Sequence, residues 1–365
     1  MQKEQPDFLI LVSVVLLTVI GLLVLAGAAV PYSLKTTGNP NYFFIHQLLY
    51  GFLPGVILGF ILFKIDLNFL KKVSFFIFVL AICLMFLVFI PGLGIESGGA
   101  TRWLSIGPIS FQPAEFLKIA TIIYLSFWLG SIKKTNFNKN KILISFFLII
   151  TLIVLSLFLQ SNLSTLVLIL SIAFVIYFCA DTPLWHSALI GVLILAAVII
   201  LINVAPYRIE RVKALLNTES APLEETYHLN QSLISVGSGG VFGSGLGLSL
   251  QKFGFLPQVI SDSIFAVFAE ETGFIGCIIL ISLFIFFGVR CFILAKRQRN
   301  ESFKLIMIGI GFWIVFQAFI NIGAFIGILP LSGTPLPFLS YGGSHLMMEL
   351  AAAGLLLNIS KYGII

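Results

Sequence analysis

The run from Phe8 to Val30 reads FLILVSVVLLTVIGLLVLAGAAV and carries no charged residue. A helix needs about 20 apolar residues to cross the hydrocarbon core of a bilayer, so this run predicts a membrane span. Nine more runs of the same character follow at 45–65, 73–91, 112–132, 142–160, 163–180, 186–204, 263–295, 304–330 and 345–362. The tripeptide Ala26-Gly27-Ala28 has the form of a signal cleavage site. The apolar run before it exceeds the usual signal length and other spans follow, so the first segment reads as a retained helix. The segment 263–295 is longer than one crossing requires, which predicts a tilt or a projection beyond the bilayer. The expected fold is an all-α integral membrane protein of about ten transmembrane helices, a single polytopic domain over residues 1–365.

Composition leaves the same room. Of 365 residues, 59% are hydrophobic and 10% charged, with a mean hydropathy of +1.10. A soluble domain carries about 25% charged residues. An ordinary cytosolic enzyme, a disordered regulator and a disulfide-stapled secreted domain are excluded. With the N-terminus inside, 13 Lys and Arg fall in inner segments and 6 in outer ones: Lys35, Arg102, Arg208, Arg211, Lys213 and Lys252. That asymmetry follows the positive-inside rule and predicts both termini in the cytoplasm. It also accounts for the net charge of +6 without nucleic acid as a partner. Cys83, Cys179, Cys277 and Cys291 lie in apolar stretches without C-x-x-C spacing, and the four histidines show no metal-ligand spacing.

Two outer connections hold the distinctive polar residues, one near 92–111 and a long one near 205–262. The first contains Gly98-Gly99-Ala100-Thr101-Arg102-Trp103 and runs into Phe111-Gln112-Pro113-Ala114-Glu115-Phe116-Leu117-Lys118. The second contains Tyr207-Arg208-Ile209-Glu210-Arg211, Asn230-Gln231-Ser232-Leu233, a glycine run from Gly237 to Gly247, Gln251-Lys252, and Ser261-Asp262-Ser263-Ile264-Phe265 before Glu270-Glu271. A third group lies near the end, where Pro335-Leu336-Pro337-Phe338 precedes Ser340-Tyr341-Gly342-Gly343-Ser344. Each has a structural reading. Pro113 and Glu115 suit positions N1 and N3 of a helix. Asp262 suits an N-cap, which is compatible with service as a base. Lys118 shares a helix face with Glu115 and can pair with it. Intramembrane charge is also a mark of a functional cavity. Glu349, deep in the last segment, has no partner nearby in sequence. The glycine run lacks the order of a phosphate loop and reads as tight, unusual backbone.

Taken together, the cations Arg102, Arg208, Arg211 and Lys252 suit an anionic head group. Asp262 at a helix entrance would stay ionised. A lipid-linked phosphate substrate at the outer membrane surface fits the combination.

At these motifs the chain resembles the SEDS family (shape, elongation, division and sporulation), over nearly its whole length. The resemblance rests on G-A-x-R-W, F-Q-P-x-E, Y-R-x-x-R, Q-S-L-x-x-x-G-S-G-G, G-x-G-x-S-x-Q-K, D-x-I-F-A-V-x-A-E-E-x-G and P-L-P-F-x-S-Y-G-G-S as they stand here. The stretch Gly245 to Lys252 looks closer to the FtsW branch than to the RodA branch. The resemblance implies a peptidoglycan glycosyltransferase that polymerises lipid II into β-1,4 glycan and releases undecaprenyl diphosphate. It implies Asp262 as the catalytic residue. The substrate-binding positions expected are Arg102, Trp103, Gln112, Glu115, Lys118, Arg208, Arg211, Gln231, Ser232, Lys252, Ser340, Gly342, Gly343 and Ser344. A divalent cation, Mg2+ or Mn2+, is implied, with Asp262 as a possible ligand, and so is a class B penicillin-binding protein as partner. Alternatives are a lipid II flippase or transporter and a non-catalytic scaffold for that partner. The chain departs from the family pattern at Gln258 and Ile260, where a carboxylate and a polar residue are usual, and at Asn162, where Asp is frequent. These departures bear on metal binding and catalytic efficiency.

Overall fold

The computed structural model describes residues 5–97, 100–106, 109–132, 139–204, 215 and 223–362. All ten apolar runs fall on helices. These are α1 (Phe8–Thr37), α2 (Tyr42–Lys64), α3 (Leu67–Leu87), α4 (Pro113–Ile132), α5 (Lys139–Leu159), α6 (Leu163–Phe178) and α7 (Leu184–Val204), then α9 (Ile264–Arg297), α10 (Glu301–Phe325) and α11 (Gly343–Ile359). Seven are long and apolar enough to cross a membrane; the apolar parts of α6, α7 and α11 are shorter. The chain is a multi-span membrane protein.

Helix ends follow from local chemistry. The Asp7 carboxylate accepts from the Ile10 N–H at 2.9 Å and caps α1, which stops where Gly38 turns left-handed. Asp66 caps α3 and Asn300 caps α10 in the same way. Helix α2 contains one π turn at Leu48–Phe52.

Helices α4, α10 and α11 are the most enclosed. Helix α4 packs against α3, α6 and α10, α9 packs against α1 and α10, and α11 lies along α2. Helices in lipid gain little from apolar burial and associate through close packing at small residues. The α2–α11 seam shows this. A Cβ at Gly354 would overlap the Gly59 carbonyl, and one at Gly55 would stand 3.0 Å from the Met347 Cα. The termini meet at one end of the bundle, where the Asp7 N–H donates to Ser360 Oγ at 2.9 Å.

Two features at the opposite end differ from expectation. The connection near 92–111 folds as a three-stranded antiparallel sheet of β1 (Gly94–Ser97), β2 (Ala100–Ile106) and β3 (Ile109–Phe111), in the order β1-β2-β3. The connection near 205–262 contains a helix, α8 (Leu223–Ser238), which packs against α9. The excess length of α9 is explained by a break. Gly273 has φ 66° and ψ −166°, so two helical pieces meet at a kink there. Its backbone lies so close to Gly243 and Val241 that a side chain would overlap them.

Candidate active site

Asp262 lies in the turn just before α9, half-buried. The helix begins one residue later than an Asp262 cap would require. Ser263 occupies the cap position and makes no capping hydrogen bond. Its hydroxyl is turned back to the Pro257 carbonyl at 2.6 Å, and His228 of α8 reaches the same hydroxyl at 3.1 Å. Asp262 is therefore not the N-cap.

The turn is fastened through its backbone. Asn321, fully buried on α10, donates from Nδ2 to the Asp262 carbonyl at 2.9 Å and to the Thr334 carbonyl at 2.7 Å. Ser340 Oγ donates to the Ser261 carbonyl at 2.5 Å and accepts from the Leu336 N–H at 2.7 Å. The Tyr341 N–H donates to the Ile260 carbonyl at 2.8 Å. Gln258 stands at φ 51°, and the Ser261 and Ser263 N–H groups both donate to its carbonyl. A side chain at Gly333 would come within 3.5 Å of Asp262 Oδ2, so the carboxylate faces the loop between α10 and α11. That loop is tied to the start of α6, where the Ser164 hydroxyl donates to the Ser332 carbonyl.

About one helical turn into the bundle lies a buried charge cluster. Lys118 Nζ is 2.7 Å from Glu115 Oε2. It also donates to Gln317 Oε1 at 3.1 Å and sits over the Trp313 ring. His345 lies between two carboxylates, with Nδ1 3.1 Å from Glu115 Oε2 and Nε2 3.0 Å from Glu349 Oε1. Glu349 Oε2 accepts from the Phe338 N–H at 2.7 Å, and Phe338 holds φ 63°. The expected Glu115–Lys118 pair is present, and Pro113 is the first residue of α4 as the helix-start reading requires. Glu115 does not close a capping box, because its carboxylate is committed to Lys118 and His345. The partner of Glu349 is His345, four residues before it on α11, so the reading that Glu349 has no partner nearby in sequence is corrected. Its spacing to Glu349, i to i+4 on a helix, was the available signal. Asn321 and Gln317 were missed as well, and their signal was polarity within the apolar run of α10.

The remaining predicted positions divide. Arg102, on β2, donates to the Gln160 carbonyl at 3.1 Å and to the Ser161 carbonyl at 2.8 Å, so it pins the sheet to the α5–α6 turn. Trp103 pairs with Ile95 across the sheet. The Gln112 N–H donates to Ser344 Oγ at 3.0 Å, which joins the start of α4 to the start of α11. The Gly342 N–H donates to Gln47 Oε1 at 3.0 Å, and a side chain at Gly343 would press on the Tyr50 carbonyl at 2.8 Å. Gln231 is half-buried on α8. Ser232 bonds its own helix at the His228 carbonyl, 2.7 Å away. Arg208 and Arg211 lie outside the described residues.

Lys252 corrects the reading of it as a phosphate-binding cation. Its side chain is buried, with Nζ 3.3 Å from Glu271 Oε1 and bonded to the Gly247 carbonyl. A charge neutralised in this way holds the glycine run to α9 and does not meet an incoming anion. Asn162 likewise has a local task, since its Oδ1 accepts from the Thr165 N–H at 3.4 Å at the N-cap of α6. Asn and Asp serve that position about equally well, so the departure from Asp costs no cap.

Among the described residues no three His, Cys, Asp or Glu side chains gather as metal ligands. Mg2+ is commonly held by one or two carboxylates together with substrate phosphates and water. Asp262, half-buried beside the loop between α10 and α11, is one carboxylate of the kind that pattern requires.

Comparison with known proteins places this geometry. Residues 7–363 match the family model described as cell cycle protein, which covers FtsW, RodA and SpoVE. The chain belongs to this family. It is 36% identical to stage V sporulation protein E of Bacillus subtilis (strain 168), over 99% of this chain and 98% of that protein. It is 34% identical to the probable peptidoglycan glycosyltransferase FtsW of Coxiella burnetii, over 99% of each. Among solved structures, rod shape determining protein RodA of Thermus thermophilus superposes with a TM-score of 0.71 at 25% identity, covering 98% of each chain. A chain from work on the structural coordination of polymerization and crosslinking by a peptidoglycan synthase complex superposes with a TM-score of 0.74, covering 97% of each at 25% identity.

Proposed function

We propose that this protein is a peptidoglycan glycosyltransferase that polymerises lipid II at the outer face of the plasma membrane and releases undecaprenyl diphosphate. Its termini lie in the cytoplasm. The reading is carried by one observation, the Asp262 carboxylate held on a turn whose backbone is clamped from α10 and from the α10–α11 loop. Family membership supplies the reaction class.

Asp262 takes the proton from the 4-hydroxyl of the acceptor GlcNAc. The hydroxyl oxygen attacks C1 of the donor MurNAc from the face opposite the diphosphate, and the α linkage becomes β by inversion. The bond from C1 to the diphosphate oxygen breaks with its electron pair on the leaving group. General-base assistance of this kind contributes about 10²–10⁴-fold. The clamps matter because misplacement by about 1 Å can cost 10²-fold. A divalent cation on the diphosphate would supply neutralisation of the leaving group; a carboxylate committed to that ion would not serve as the base, so Asp262 would fill one role or the other. A class B penicillin-binding protein is the partner that fits a polymerase of this fold, and the likeness to a chain of a synthase complex supports it.

The test is polymerisation of lipid II by the purified chain with its cognate transpeptidase, in Mg2+ or Mn2+, beside Asp262→Ala. Glycan ladders from the unmutated complex that disappear in the variant, with the complex intact, support the proposal. Absence of product where a known polymerase works would overturn it, and so would undiminished product from Asp262→Ala.

A further inference from the structure

The glycine run and the residues after it are built inside out for a segment in water. Phe242, Leu246, Leu248, Leu250 and Phe253 expose between 64% and 81% of their surface. The polar side chains of the same stretch point inward: Ser249 is fully buried and Lys252 is 5% exposed. A segment surrounded by water buries its large apolar side chains and exposes its cations.

The backbone is also provided for from within. Glu270 and Glu271 of α9 do most of this, both through their carbonyls and Glu270 also through its carboxylate. Glu270 accepts from the Leu250 N–H at 2.8 Å and from Ser249 Oγ at 2.5 Å, and its carbonyl takes the Ser244 N–H at 2.9 Å. The Glu271 carbonyl takes the Gly245 N–H at 3.0 Å. Beyond the Gly273 kink, Phe274 and Ile275 donate their N–H groups to the carbonyls of Gly240 and Val241 at 2.9 and 3.2 Å. Irregular backbone survives at membrane depth only when the protein satisfies its polar groups in this way.

Two helices give the depth independently. Gly247 lies against Gly27 of α1, whose absent side chain would meet the Gly247 Cα at 3.4 Å. From Phe8 to Gly27 a helix rises about 30 Å, which is about the thickness of the hydrocarbon core. From Ala295, the last residue of α9 before the charged Lys296 and Arg297, back to Phe274, where α9 binds the run, the rise is about 32 Å. Both measures put the run at the outer boundary of the hydrocarbon, level with the exposed apolar residues Phe274 and Ile278 of α9.

We infer that residues 241–255 form a re-entrant strap seated at the outer edge of the acyl region of the leaflet opposite the termini. Its occupant is bulk membrane lipid, and its apolar rim continues the lipid-facing surface of α1 and α9. The strap therefore anchors, through Glu270 and Glu271, the same helix whose first turn follows Asp262. The inference is independent of the glycosyltransferase reading, which enters only in naming that leaflet the outer one.

The experiment is spin labelling of the full chain in phosphatidylcholine–phosphatidylglycerol vesicles. Labels go on Phe242→Cys, Leu248→Cys and Phe253→Cys, with Asn39→Cys beyond the end of α1 as the aqueous control and the four native cysteines replaced by alanine. The expected result is greater collision with dissolved oxygen than with an aqueous nickel chelate at the three strap sites, and the reverse at Asn39. Nickel accessibility at the strap equal to that at Asn39 would overturn the inference. So would immobile labels reached by neither reagent, which would mean a protein contact such as a second copy. A second measurement keeps the native cysteines: the fluorescence added by Phe242→Trp should be quenched by lipids brominated on the acyl chain. An unquenched signal would count against this placement.

Discussion

The Asp262 turn and the Glu115–His345 cluster draw on neighbouring residues of α11 and its preceding loop, yet they are fastened by opposite means. In the cluster, carboxylates meet Lys118, the His345 ring and the Phe338 N–H through their own side-chain oxygens. At the turn, the clamps of Asn321, Ser340 and Tyr341 all land on backbone carbonyls. The first arrangement uses charge to hold helices together. The second holds the chain that carries a carboxylate by its backbone, from α10 and the α10–α11 loop. The contrast is between side-chain and backbone anchoring, and substitutions can test it.

The largest expected effect is on rate. Asp262→Ala should lower polymerisation by about 10²–10⁴-fold while the thermal midpoint in detergent stays near that of the unmutated chain. A large loss of stability in that variant would break the contrast. Next is Lys118→Ala, which removes one of the two side chains that meet the Glu115 carboxylate in the interior and leaves His345 alone against it. Breaking a buried pair costs about 3–5 kcal/mol, to be read as a lowered midpoint and poor yield of folded protein. Smaller is Asn321→Ala, which strips two buried carbonyls of a donor at about 1–3 kcal/mol. Because one of them belongs to Asp262, kcat should fall further than the folded fraction accounts for, with KM little changed. Steady-state kinetics on the folded fraction decide this.

The smallest effect lies at the end of the bundle where the termini meet. Burial raises the pKa of Asp7, but hydrogen bonds from the Arg290 guanidinium and the Ile10 N–H outweigh it and hold the carboxyl below its usual range. Stability from this group is complete above the ordinary aspartate pKa and is lost as pH falls through the depressed folded-state value. The midpoint of the unmutated chain should fall more than that of Asp7→Asn between neutral pH and about pH 3.

Much of the fold was legible because lipid makes apolar length the dominant signal, and all ten runs fall on helices. The Glu115–Lys118 pair was legible because both residues lie on one turn. The sheet at 94–111 was not, since its strands are short and alternate weakly, and the Arg102 anchor to Gln160 and Ser161 forms only in the folded chain. The kink at Gly273 was hidden because one glycine in an apolar run has no sequence mark to distinguish a break from close packing. Lys252 was misread for a related reason. A cation beside glycines looks available until Glu271, on the following helix, is brought against it.

The π turn of α2 has a consequence for insertion and deletion. It accommodates one residue more than an α-helical turn, and Gln47 and His46 lie immediately before it. Gln47 reaches Gly342 and His46 reaches Tyr341 only in the register that the extra residue sets. Removing one residue from 48–52 would let the helix run straight and swing everything before it by about 100°. The glycine seam of Gly55 and Gly59 would keep its alignment while both outer hooks came away from the loop that clamps Asp262. The length of this short stretch is thus constrained along with its composition, in which Gly51 leaves room for Gly343.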